Sequence, residues 1–160
     1  MSSPSNRAWY FSEHVDPRNP AARRVLGRIC LYRVTRTWPL EDSDFLTEHA
    51  LGRTTPYPGT REERYPILLE GMSWFDLERW AINAAKRLSR HPANAGRPMG
   101  VVQMDIDLNA CDDIIVCMSP EQAPGKRHHF DVAGSPERLR ELASEWRSLD
   151  ELLASERQEA

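Results

Sequence analysis

No run of about 18 apolar residues occurs anywhere in this 160-residue chain, and its start lacks the basic-then-apolar pattern of a secretory leader. The expectation is a soluble, cytoplasmic protein with no membrane partner. Cysteine is scarce as well. Cys30, Cys111 and Cys117 are odd in number and scattered, which argues against a disulfide framework and predicts reduced thiols. Neither Cys111 nor Cys117 has a Cys or His at zinc-ligand spacing, so no metal site is expected. Charge of one sign is not in excess: 21 Lys and Arg against 24 Asp and Glu leave a net −3. That balance gives no reason to expect nucleic acid as a partner. The basic loops after Gly52 and Gly125 lack the strand-to-helix setting of a phosphate loop. Internal repeats and low-complexity tracts are absent.

What is present is enough for one domain. At this length about two-thirds of the unfolded chain's surface can be buried, whereas two separate cores would be hard to build. Residues 1–27 read as an N-terminal arm in which Trp9, Tyr10 and Phe11 lie on the domain surface or dock on a partner. Residues 28–156 read as a single α+β domain and 157–160 as a tail. Within the domain, Arg28 to Thr35 is a strand with two largely apolar faces. Asp42 or Ser43 caps a short helix stopped by Gly52, and 53–66, with three prolines and no usable period, is an exposed loop.

Leu68 to Phe75 is the next strand, and Asp76 is placed to cap a helix. Leu77, Trp80, Ala81, Ala84, Ala85 and Leu88 form its single apolar stripe, opposite Arg79, Lys86, Arg87 and Arg90. Strands follow at Met99–Leu108, Asp113–Met118 and Arg127–Val132. A last helix begins at Ser135 and runs to about Ser155 on Leu139, Leu142, Trp146, Leu149 and Leu153. Consecutive strands without intervening helices predict a mixed, mostly antiparallel sheet of about five strands, with two longer amphipathic helices and one short one. Leu149, Leu152 and Leu153 near the chain end predict a cover supplied by a second copy or by the aromatic arm.

Several polar residues sit where strands normally spend side chains on packing. Asp105 and Asp107 share one strand face about 7 Å apart, an arrangement that suits a solvated face better than a cation site. His128 and His129 point to opposite sides of their strand, so they cannot chelate one ion together. Each is either a general base or a histidine satisfied by a neighbour.

Leu31–Tyr32–Arg33–Val34, a helix ending at Gly52, Gly71–Met72–Ser73–Trp74–Phe75 with an Ala-rich helix after it, and His129–Phe130 followed by Gly134–Ser135–Pro136–Glu137 form one ordered set. It resembles a group of short uncharacterised bacterial proteins of actinobacterial type, over roughly residues 28 to 146. More remotely, a Tyr-Arg strand followed by a Gly-x-Ser-aromatic strand is similar to the ADP-ribosyltransferase family and its NAD-degrading toxin relatives. That resemblance implies NAD as ligand, with Arg33 on its phosphate or ribose, Ser73 bracing the site and Glu121 as the catalytic acid. Tyr32 and His129 would complete the cofactor-binding set. Trp74 stands where the family has a second small residue, and Glu121–Gln122 lacks the doubled acid. The alternative is a non-catalytic interaction module, an immunity or antitoxin-type partner, working through the aromatic arm, the 53–66 loop or the last helix.

Overall fold

The computed structural model describes residues 8–13, 23–45, 72–118 and 128–159. In chain order the elements are β1 (Trp9–Phe11), β2 (Arg23–Thr35), β3 (Met72–Phe75), α1 (Glu78–Ser89), β4 (Gly100–Asp107), β5 (Ile115–Met118), β6 (His129–Ala133), α2 (Pro136–Leu142), β7 (Ser144–Ser148) and α3 (Leu149–Glu159). Single 3-10 turns lie at Asp42–Phe45 and Pro92–Asn94. The class is α+β, as expected, but the described residues form a sheet of seven strands rather than about five, and every described pairing is antiparallel rather than mixed.

β2 organises the sheet. Its thirteen residues alternate so that Val25, Ile29 and Leu31 face one core while Tyr32 and Val34 face another. It pairs with β4 over eight residues, from Arg28↔Asp107 to Thr35↔Gly100. It also pairs with β1, with β5 at Arg23 and Arg24, and with β3 at Tyr32↔Phe75. Because β3 pairs with β6 and β6 with β5, the strands β2–β3–β6–β5 close into a ring. One core fills with Leu31, Trp74, Met104, Val116, Phe130 and Val132, all fully buried. Val102, Met104, Ile106 and Leu108 face it as the alternation predicts.

The second core lies between the sheet and two helices. Ala81, Ile82 and Ala85 of α1 meet Met99, Val101, Leu149 and Leu152. Leu149 and Leu152 are therefore covered by the chain's own α1, not by a second copy or the aromatic arm. That burial is worth roughly 1.5–3 kcal/mol for each leucine, which explains why they need no outside partner. The arm's rings pack elsewhere: β1 pairs with β2, and Trp9 meets Phe130 edge-on at 5.5 Å between centroids.

The single last helix expected from Ser135 is instead α2, then β7, then α3. Ala143 turns to extended backbone, Glu145 adopts φ 53°, and β7 pairs with β4. Trp146 is the physical reason. Its Nε1 donates to Thr35 Oγ1 at 3.0 Å, its ring stacks on Trp38 at 4.3 Å, and it lies against Gly100, where a Cβ would come within 2.4 Å. Ser148 then caps α3 by accepting from Glu151 N at 3.1 Å, and the helix continues through 157–159, read from sequence as tail. Residues 42–45 of the expected short helix form a 3-10 turn. Its remainder and the 53–66 loop fall outside the described residues. Among the described residues no helix is long and apolar enough to cross a membrane.

Candidate functional site

Strand alternation decides which of the predicted residues can meet. Ser73, Phe75, His129 and Asp131 share one face of β3 and β6, since Ser73↔Asp131 and Phe75↔His129 are direct partners. Tyr32 joins that face through Tyr32↔Phe75, and Cys117 through Cys117↔Asp131. Arg33 lies on the opposite face of β2 from Tyr32. Its Nε donates to the Asp44 carbonyl and its Nη1 to the Ser73 carbonyl, each at 2.9 Å. Arg33 and Ser73 are thus brought together, with the guanidinium fork fastening the 3-10 turn to β3. Glu121 lies outside the described residues.

Within this group Ser73 is exposed, His129 half-buried and edge-on to Phe75 at 5.5 Å, and Asp131 buried. Tyr32 packs with Phe75 and Val34 in the second core. Desolvation, and then a hydrogen bond with Cys30, push its phenol up to about 12. Burial likewise raises the Cys30 thiol, although hydrogen bonds with Tyr32 and Gln103 partly offset it. Both groups are held neutral. A phenol whose folded pKa is raised favours the native state at neutral pH and loses that contribution as pH climbs from the unfolded value, about 10, toward 12. A phenolate-absorbance titration is therefore expected to show one late-ionising tyrosine that disappears in Tyr32→Phe. Alkaline unfolding of that variant should be flatter with pH above about 10. An unchanged late phase in Tyr32→Phe would show that the assignment is wrong.

Asp76 carries a role that its place before α1 concealed. The helix cap is Leu77, with no side-chain cap bond. Asp76 Oδ1 instead lies 2.8 Å from His128 Nδ1, and Asp76 N donates to the His128 carbonyl at 3.1 Å. A carboxylate only accepts, so Nδ1 carries the hydrogen of this contact. Trp80 lies over this imidazole, with centroids 5.4 Å apart, and its own buried Nε1 has no partner among the described residues. Ser73 lies within β3 and Asp76 just past its end, about 10 Å apart by strand rise. The usable sequence signal was an acid directly after a strand whose neighbour in the sheet begins with histidine.

Asp44 is the other residue whose role the sequence hid. Its buried carboxylate accepts from Thr37 Oγ1, from Glu41 N at 3.0 Å and from Arg36 N at 3.3 Å, which ties the 36–44 turn into one unit. Asp105 pairs with Arg28 at 3.7 Å on the surface, and Asp107 accepts from Asn109 N. Among the described residues no group of three His, Cys, Asp or Glu is arranged to hold a metal. Cys30, Cys111 and Cys117 form no disulfide with one another, and Cys117 is buried in β5. No family model, curated protein or solved structure matches this chain.

Proposed function

We propose that the β2–β3–β6 side of the barrel binds NAD or a closely related nucleotide, the ligand implied by the resemblance of the Tyr32–Arg33 and Ser73 strands. The observation that supports it is the meeting of Arg33 with Ser73, residues forty positions apart, beside an exposed Ser73 and a half-buried His129. In this reading Arg33 is a positioning residue: it holds the Ser73 backbone in place while its neighbours meet the ligand. Ser73 and His129 supply hydrogen-bonding groups on adjacent strands. Glu121 is the carboxylate that would stabilise positive charge on the ribose as the nicotinamide bond breaks.

A thermal-shift titration tests the reading. A ligand that binds only the folded state at a hundred times its Kd adds about 2.7 kcal/mol, roughly 5 to 10 °C for a chain of this size. The Ser73→Ala/His129→Ala variant is expected to keep its melting temperature without ligand and to lose most of that shift. No shift of the unaltered protein with either NAD or ADP-ribose would overturn the reading.

A further inference from the structure

The outward side of α1 is the one strongly charged surface on the described fold that internal pairing leaves unexplained. Arg79, Asn83, Arg87 and Arg90 are all exposed. At about 100° per residue they fall within an arc of about 80°, and they span about 16 Å along the axis. Among the described residues no ion pair or side-chain hydrogen bond engages Arg79, Arg87 or Arg90. Neighbouring cations are treated differently: Lys86 meets Glu156 of α3 at 3.1 Å, and Arg147 bonds Glu78. The fold therefore neutralises the basic groups beside the stripe and leaves three guanidinium forks in water, on a chain whose net charge is −3.

We infer that this stripe is a docking surface for an acidic helix of a protein partner, lying along α1. Guanidinium forks accept carboxylates in a bidentate, planar geometry that a point charge does not reproduce. The narrow arc and its length fit a partner helix that repeats acids on one face. Such a helix would meet the arginines on its acidic side and the Asn83 amide between them. The flanking charge favours a short segment over a continuous polyanion. α3, packed beside α1, exposes Asp150 and Glu151, which would repel a phosphate backbone that ran past the stripe. Stacking and insertion are also unprovided for. Among the described residues the exposed large hydrophobics are Tyr10, Trp38 and Leu77, and none lies on this arc, so neither a nucleobase nor a bilayer finds an apolar partner there.

The test is calorimetric titration of the full chain with an amidated helical peptide carrying glutamates at i, i+4, i+7 and i+11. A peptide of the same composition in scrambled order serves as control. Salt-sensitive binding is expected, about tenfold weaker for the scrambled peptide and at least tenfold weaker for R79S/R87S/R90S at an unchanged melting temperature. Should the triple variant not fold, R87S carries the same test with an expected loss of about threefold. Equal binding of both peptides, or equal binding by the variants, would overturn the inference. So would tighter binding of single-stranded RNA, or of phosphatidylserine vesicles, through the same arginines.

Discussion

Gly27→Ala is expected to cost about 2 to 4 kcal/mol and to lower the melting temperature by roughly 5 to 15 °C. Gly27 sits at φ 85°, in the left-handed region where a side chain is strained. A Cβ there would lie 2.3 Å from the Ala8 carbonyl oxygen and 3.1 Å from Trp9 Cα, both backbone atoms that cannot rotate aside. The position is also a junction. Gly27 is the partner of Trp9, its carbonyl accepts from Leu108 N at 2.7 Å, and its N–H donates to Asn109 Oδ1 at 3.1 Å. Relief of the clash must push β1 off β2, which draws Trp9 from Phe130. Circular-dichroism melts combined with tryptophan emission would show both the lower midpoint and the wetter Trp9. A midpoint within about 1 °C of the unaltered protein would mean that β1 contributes nothing to stability.

Trp74→Ala should remove about 3 to 5 kcal/mol. Trp74 is fully buried, stacks with Phe45 at 6.4 Å between centroids, and lies opposite Phe130 in the closed ring of strands. A cavity at that point touches several strands at once, and a ring closed by hydrogen bonds has little freedom to collapse into it. Trp74→Phe separates volume from chemistry. Among the described residues the buried Trp74 Nε1 has no partner, so its removal relieves an unsatisfied donor even as the smaller ring loses contacts. The phenylalanine variant is therefore expected to lose less than half of what alanine loses. Urea unfolding followed by far-UV circular dichroism would measure both. Equal losses would overturn this expectation.

Both variants act at positions whose chemistry was visible early but whose neighbours were not. Sequence alone places Trp74 in a strand. That it stands in a closed ring depends on β2 pairing with both β3 and β5, and no local pattern encodes those pairings. Sequence alone places Gly27 at the end of a peripheral arm. β2 in fact begins at Arg23 and runs through Gly27, because β1 folds back and gives residues 25–27 a partner.

Local chemistry alone was sufficient for the elements that repeat with a clean period. The alternation of β4, the apolar stripe of α1, the Ser135–Pro136 start of α2 and the burial of Cys117 all follow from side chains that must leave water on one face. Tertiary structure decided the rest, wherever one side chain had two satisfactory uses. Asp76 suits a helix cap and an imidazole equally well, and only the approach of β6 to β3 brings His128 within 2.8 Å. Arg33 has the fork for a phosphate, yet the 3-10 turn and β3 present it with two carbonyls at 2.9 Å. Leu139 to Leu153 keeps a helical spacing, but the open edge of β4 and the seat of Trp146 over Gly100 draw Ser144–Ser148 into a strand. A backbone edge gains hydrogen bonds that a helix in the same segment would also form. What tips the balance is the burial of one indole, and that depends on residues more than a hundred positions away, at Thr35 and Trp38.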